Sequence, residues 1–352
     1  MAITFPHAHP ATPKFKRLVM RVRTATGMSV SPLTFGQQAY LNQGELWEIE
    51  ATLPLMARAD AAAWCAWMAA TRGGFGTFLF GDPASESPRG SAPGAPASVD
   101  GASQLGLTLA TLAWTASQSG ILLPGDYVQV AKNYLSNPRA FDNAAWTKTQ
   151  CTVTGVNAIV APNGATEAER VTPGVGATDA YVSQTASPVP SRLAGEAFQG
   201  QAWLKAASGT PGINIYISDG IGNTTQAASL TTSWQRFGVA RTLAAGATQA
   251  TLQIGGGATW LEADGPIDMW GATLYASALD ARLHMLLASA ASDANGKAIL
   301  DIYPRLREAP ADFTAVITAG AKGTFRMGQN TAEWDIDEAL RFGLGFSARE
   351  EI

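Results

Sequence analysis

Charge is scarce in this chain. Only 15% of its residues are Asp, Glu, Lys or Arg, the formal net charge is −4, and no run of Lys or Arg stands out, so the electrostatic footprint of a nucleic-acid binder is missing. Nucleic acid is therefore not an expected partner. Cysteine is nearly absent as well: Cys65 and Cys151 lie far apart with no Cys-x-x-Cys neighbour, which excludes a disulfide framework and a zinc knuckle and leaves two reduced structural thiols. Among the three histidines, His7 and His9 form a His-x-His pair with no third ligand in view, which reads as a flexible terminus. His284 alternates with Leu283 and Met285, so it is a strand residue rather than a base.

Long apolar runs are missing too. No segment approaches the ~20 apolar residues of a membrane span, and residues 1–17 carry histidines and prolines where a signal peptide needs an unbroken apolar stretch. The expectation is a protein made and kept in the cytoplasm until it is built into something larger. Catalytic signatures are also lacking: there is no Ser-His-Asp context, no phosphate-cradling Gly loop followed by Lys, and no dinucleotide fingerprint. Glu45, Glu48 and Glu50, or Asp335, Asp337 and Glu338, offer carboxylate pairs for glycosidase chemistry, but both sets sit in alternating strands where solvated edges explain them. The chain is therefore not expected to be an enzyme and requires no cofactor.

What is present points to strands. The 36 glycines and 19 prolines are spread as turn punctuation, which favours a mainly β chain with many short strands. Residues 15–23 alternate, with Leu18, Met20 and Val22 on one face and Arg17, Arg21 and Arg23 on the other. A second strand turns Trp47, Ile49, Ala51 and Leu53 inward and Glu48 and Glu50 outward, so that Glu and Arg can pair across the strands. Between Asp60 and Thr71 the period becomes helical, through Ala61, Trp64, Trp67 and Met68, with Asp60 as N-cap and Gly73-Gly74 as stop. Strand 77–80 follows, ended by Gly81-Asp82-Pro83, giving an α+β unit with one amphipathic helix on a sheet.

Residues 84–98 are rich in Pro, Gly, Ser and Ala and read as an exposed loop or interface arm. Strands resume at 105–113 and 127–130, then again on the far side of a long interruption, where Leu283, Met285 and Leu287 alternate and Asn295-Gly296 turns the chain into 298–303. If 133–277 is deleted on paper, 127–130 feeds directly into that hairpin. The reading is of five segments: 1–83 as the first part of an α+β host, 84–132 and 278–310 as two halves of a small split β-domain, 133–277 as an inserted β-sandwich, and 311–352 as C-terminal strands completing the host.

The insert opens with Asn133-Tyr134-Leu135-Ser136-Asn137 and Phe141-Asp142-Asn143-Ala144-Ala145-Trp146. It continues through Trp203-Leu204-Lys205-Ala206 and Ser233-Trp234-Gln235-Arg236-Phe237, and closes with Ile267-Asp268-Met269-Trp270-Gly271. It resembles the jelly-roll carbohydrate-binding modules of the family 4/9/22 type, which recur in bacteriophage tail proteins. The host resembles the distal tail and minor tail proteins of long-tailed bacteriophages, through Trp47-Glu48-Ile49-Glu50, the Trp-rich helix, Gly76-Thr77-Phe78-Leu79-Phe80-Gly81-Asp82-Pro83, Gly323-Thr324-Phe325-Arg326 and Glu333-Trp334-Asp335-Ile336-Asp337-Glu338. That resemblance implies a structural virion protein of the tail tip. It implies a ring of copies of itself, commonly a hexamer, between the tail tube protein and the tail hub proteins, with the insert reaching for host surface polysaccharide. The short split β-domain departs from the full galectin-like domain of many distal tail proteins.

Sugar binding by a jelly roll needs exposed rings beside Asn, Gln or Asp. Trp203, Trp234, Phe237 and Trp270 sit in apolar strand-like stretches and read as core, whereas Trp146, Tyr181, Tyr216 and Trp260 lie nearer polar or turn-rich sequence and are the carbohydrate-binding candidates. The resemblance further implies a structural calcium, for which Asp268 occupies the acidic ligand position, although no dense carboxylate cluster surrounds it. Two other functions remain open: a polysaccharide depolymerase that the module targets, and a tail protein whose insert only contacts neighbouring subunits.

Overall fold

Strand-period alternation dominates the computed structural model, which describes residues 3–92, 97–187, 189–190 and 192–351. The ends of the expected segments at 1–2 and 352, and residues 93–96 of the 84–98 stretch, lie outside the described residues. The chain is mainly β with one α-helix, and among the described residues no helix is long and apolar enough to cross a membrane.

The first unit contains β1 (Arg17–Val30), β2 (Gln37–Thr52), α1 (Arg58–Ala70) and β3 (Thr77–Phe80). The next strands are β4 (Ala97–Val99), β5 (Gly106–Leu112) and β6 (Tyr127–Ala131). Then come β7 (Thr147–Thr149), β8 (Cys151–Val160), β9 (Thr166–Pro173), β10 (Tyr181–Thr185), β11 (Ala197–Ala206), β12 (Gly212–Ser218), β13 (Asn223–Ser229), β14 (Gln235–Thr242), β15 (Thr251–Gly255) and β16 (Ile267–Ala276). The chain ends with β17 (Arg282–Leu286), β18 (Ala298–Leu306), β19 (Ala315–Ile317), β20 (Gly323–Met327), β21 (Trp334–Ile336) and β22 (Phe342–Glu350).

Three bodies result. One sheet runs β1-β2-β22-β20-β3, with β21 paired to β22. Helix α1 packs Trp64 and Trp67 onto this sheet, where Trp67 meets Phe78 edge-on at 5.0 Å and Phe346 at 5.3 Å. The helix begins two residues before Asp60, with Ala57 rather than Asp60 at the N-cap; Asp60 lies in the first turn, where its charge favours the helix dipole. Nor is His9 a loose terminus: its ring stacks 5.8 Å from Trp64 and faces Phe80 at 5.7 Å. Arg21 pairs with Glu50 and Arg23 with Glu48, across the strands. Val22, expected inward, is exposed, because β1 is the edge strand and the rings of Tyr127 and Tyr303 cover Trp47 on β2 instead. Beyond this packed half the β1/β2 hairpin runs on, leaving Met28, Val30, Leu33, Phe35, Tyr40 and Leu41 exposed.

The second body is a closed barrel, β17-β18-β5-β4-β19-β6. Residues 315–317, grouped by sequence with the C-terminal host strands, pair here with β4 and β6, so that boundary moves past 317. The barrel needs them because closure leaves no edge strand unpaired. The end of the 84–98 stretch is likewise not a loop: Ala97–Val99 is a buried strand, and Arg89 is docked on Asp126 at 2.9 Å.

The third body is a sandwich of two five-stranded sheets, β13-β12-β15-β10-β7 and β14-β11-β16-β9-β8, enclosing a core from Tyr134 to Leu279. It leaves the barrel after β6 and returns at β17, which are antiparallel neighbours with Val130 opposite Arg282. Asn133 fastens this root. Its side-chain oxygen accepts from the Leu135 and Leu274 amides at 3.1 and 3.0 Å, and its amide nitrogen donates to the carbonyls of Ala272 and Asp312 at 3.3 and 3.1 Å. Beside it Trp270 of the sandwich meets Phe313 edge-on at 4.7 Å, and Arg139 pairs with Asp100, Glu167 and Asp312. Gly271 sits in the left-handed region at φ +63°, and a β-carbon there would lie 2.1 Å from Phe313 Cε1.

Candidate functional site

Alternation along β12 sends Ile213, Ile215 and Ile217 into the sandwich core and leaves Asn214, Tyr216 and Ser218 on the outer side. Neighbouring strands repeat the pattern. On β15 Leu252 and Ile254 are buried while Thr251 and Gln253 are half-buried, and on β10 Val182 is buried between half-buried Tyr181 and Ser183. Strand register sets Thr225, Tyr216, Gln253, Ser183 and Thr147 side by side across all five strands. The result is an outer face of hydroxyls, amides and two phenol rings, with no charged side chain among those residues.

Its geometry is fixed by the loop after β15. The Tyr216 hydroxyl donates to the Gly256 carbonyl at 3.1 Å and accepts from the Asn214 side-chain amide at 3.0 Å. Gly257 permits this closure: it has φ +65°, and a β-carbon there would lie 2.0 Å from the Tyr216 oxygen. Gln253 donates to the Gly255 carbonyl at 3.2 Å, which orients its amide between the two tyrosines. Tyr181 is the freer ring. Tyr216 is only 8% exposed. Such a surface can stack the apolar face of a sugar on Tyr181 and exchange hydrogen bonds with its hydroxyls through Gln253, Asn214 and Ser183.

Two of the four carbohydrate candidates thus share this face and two do not. Trp146 is 1% exposed, its indole N–H donates to the Asn137 carbonyl at 3.0 Å, and its ring packs 4.7 Å from Phe141. Trp260 is fully buried and donates to the Gly265 carbonyl at 3.0 Å. Both are core residues, because the turn-rich segments around them fold over the rings and supply the carbonyls that their N–H groups need. Trp203 and Trp234, expected in the core, pack against the buried cluster around Trp270 and Phe313 but are not fully enclosed. They are half-buried on the other sheet, beneath Arg236 at 5.8 Å and Lys205 at 5.0 Å respectively. Phe237 is half-buried against the core, and Trp270 is buried as expected. Sequence reasoning missed Gln253, Asn214 and Ser183; the Ile-Asn-Ile-Tyr-Ile-Ser alternation over 213–218 marked Asn214, whereas Gln253 and Ser183 join it only through strand pairing.

Asp268 does not present an open carboxylate for calcium. Arg170 takes both of its oxygens, at 2.7 and 3.1 Å, and Lys205 stands 3.7 Å away, so a metal ion would have to displace two cations. No group of three or more His, Cys, Asp or Glu side chains among the described residues is arranged to hold a metal. Among the carboxylates weighed for glycosidase chemistry, Glu45 is not a solvated edge residue: it is 3% exposed and accepts from the Arg305 amide at 2.8 Å. Asp337 accepts from the Arg341 amide at 2.8 Å in an exposed turn. Burial pushes the Cys151 thiol up to about 11, and its Sγ–H donates to the Tyr181 carbonyl, so it serves the sheet as an inert thiol.

No protein-family model and no curated protein matches the sequence. Solved structures are similar over less than half of the chain. The enzymatically active domain of tailspike protein 4 from bacteriophage CBA120 is 19% identical over 41% of this chain and 21% of its own, with a TM-score of 0.32. TmCBM61, solved in complex with beta-1,4-galactotriose, is 17% identical over 42% of this chain and 99% of its own, with a TM-score of 0.29. The CBM22-1 xylan-binding domain from Paenibacillus barcinonensis is 13% identical over 47% of this chain and 97% of its own, with a TM-score of 0.28.

Proposed function

We propose that the protein is a non-enzymatic structural component of a phage tail tip, assembled in the host cytoplasm, whose sandwich attaches the particle to host surface polysaccharide. The observation that carries this reading is the uncharged outer face of Tyr181, Tyr216, Gln253, Asn214 and Ser183 on a sandwich locked into a scaffold. Stacking on one half-exposed ring with a few hydroxyl contacts gives weak binding at a single site. A ring of copies, six in the expected arrangement, offsets this, because the second and later contacts form at the effective concentration set by the assembly. The uncovered apolar outer half of the β1/β2 hairpin supports contact with further subunits, either other copies or the tail tube and hub proteins above and below.

A glycan array probed with the whole chain tests the reading. Retention on at least one neutral or acidic polysaccharide, lost in Tyr181→Ala and Gln253→Ala with melting temperature unchanged, is the expected result. Retention equal in both variants, or none on any glycan, refutes the sugar face. A particle mass equal to one chain at micromolar concentration, unchanged by Phe35→Ser, refutes self-assembly.

A further inference from the structure

A second polar site lies away from the sandwich face, in a cleft of about 890 Å³ where the N-terminal sheet, the barrel and the root of the sandwich meet. Seven buried side-chain atoms lack a hydrogen-bond partner among the described residues, and four of them belong to residues lining this one cleft: His284 Nε2, Arg305 Nε, Arg307 Nη1 and Thr314 Oγ1. An unmade hydrogen bond at a buried polar atom is costly, so four gathered in one place mark a site built for something other than the folded chain.

The roles of these atoms can be assigned. His284, 4% exposed, sets its Nδ1 2.7 Å from the Pro304 carbonyl; a carbonyl only accepts, so Nδ1 carries the proton and Nε2 offers a lone pair. Burial, reinforced by the charges of Arg307 and Arg282, pushes the imidazole down to about 4, which keeps it in that neutral form at pH 7. Arg307 gives Nη2 to Glu350 at 2.9 Å and keeps Nη1 free. Arg305 Nε lies 3.9 Å from Glu45, too far for a hydrogen bond. Thr314, 1% exposed, contributes a hydroxyl. Three donors and one acceptor are therefore left over on residues that line the cleft. A simple anion satisfies the donors but sets its charge against the His284 lone pair, and a neutral sugar gives the unpartnered N–H groups of Arg305 and Arg307, each guanidinium already paired with one carboxylate, no charged acceptor.

We propose that this cleft binds a hydroxyl-bearing carboxylate, the chemistry of an acidic sugar unit: Arg305, Arg307 and Thr314 donate to the carboxylate while a neighbouring hydroxyl donates to His284 Nε2. This site is independent of the Tyr181 face and does not rest on it. Calorimetric titration of the whole chain at pH 7 with glucuronate, glucose and acetate tests it. Glucuronate binds, and glucose, which lacks the carboxylate, and acetate, which lacks the hydroxyl, each bind at least about tenfold more weakly. Thr314→Val, which preserves the volume of the buried side chain, and Arg307→Gln each weaken glucuronate by a similar factor, whereas Tyr181→Ala leaves it unchanged. No binding of glucuronate, equal binding of acetate or glucose, or an undiminished affinity in Thr314→Val overturns the proposal and makes the unpartnered atoms sites of internal water.

Discussion

The seam between sandwich and barrel hangs on the absence of one methyl group. Gly271→Ala must hold φ near +63° and place a β-carbon 2.1 Å from Cε1 and 2.4 Å from Cζ of Phe313. Carbon atoms rest about 3.5–4.0 Å apart, so the ring must retreat by roughly 1.5 Å. It has little room: Phe313 is 1% exposed, edge-on to Trp270 at 4.7 Å, with the Arg139 guanidinium 4.9 Å above it. The left-handed backbone costs about 1–2 kcal/mol and overpacking about 1–3 kcal/mol more, giving a loss of about 2–5 kcal/mol. Phe313→Ala alone costs about 3–5 kcal/mol through the cavity it leaves. In the double variant the clash disappears while the backbone cost remains, so it is more stable than the sum of the singles by about 1–3 kcal/mol. Urea unfolding followed by tryptophan fluorescence, to which Trp270 contributes from within the seam, measures all three. Losses that add to within about 0.5 kcal/mol, or a Gly271→Ala protein as stable as the parent, refute the account of this seam.

Three further outcomes follow from buried groups. Burial, with the Asp142 charge, holds the Glu169 carboxyl above the ordinary carboxylate range against the Asp142 amide that lowers it, so its favourable contribution is complete at acid pH and is lost as pH rises through the folded value. Glu169→Gln therefore gains about 1–3 kcal/mol over the parent at pH 8 and little at pH 4, read from paired thermal melts; a pH-independent difference contradicts this. Burial works against ionisation of Asp219, but the amides of Ala244, Gly222 and Ile221 and the Arg241 guanidinium outweigh it and hold the carboxyl well below its usual range. Its contribution is present above the unfolded value of about 3.9 and is lost as pH falls further, and Asp219→Asn costs about 3 kcal/mol at pH 7, which denaturant titration checks. Trp260→Ala costs about 3–5 kcal/mol as a core deletion, whereas Tyr181→Ala leaves the melting temperature within a degree or two; equal effects contradict the separation of core from face.

Two-residue periodicity was the most legible signal. It marked Trp47, Ile49, Ala51 and Leu53 as inward, and all four are buried, since a strand in a sheet covered on one side has one buried face. The helix was legible for the same reason, through the spacing of Ala61, Trp64, Trp67 and Met68. Aromatic exposure was not. Whether Trp146 or Trp203 meets solvent depends on loops that arrive from elsewhere, and local polarity misled because the polar residues near Trp146 and Trp260 form their cover. Asp268 misled similarly, as its guanidinium partner lies 98 positions away. Barrel closure by residues 315–317 was hidden because three residues are too few to show a period. The outer half of the hairpin was illegible in a different way: without a second layer, Met28 and Leu41 have no inward side to alternate toward.

Both strands that carry the chain into and out of the sandwich are nearest neighbours in the barrel, and Asn133, just after the first of them, is bonded to Ala272 and Leu274 of the sandwich's last strand and to Asp312. A pull applied at the sheet that carries Tyr181 and Tyr216 is consequently shared by two tethers side by side and by the Arg139 cluster rather than by a single linker. The attachment behaves as a rigid lever: load taken up at its tip reaches the scaffold as torque, with little slack to absorb it.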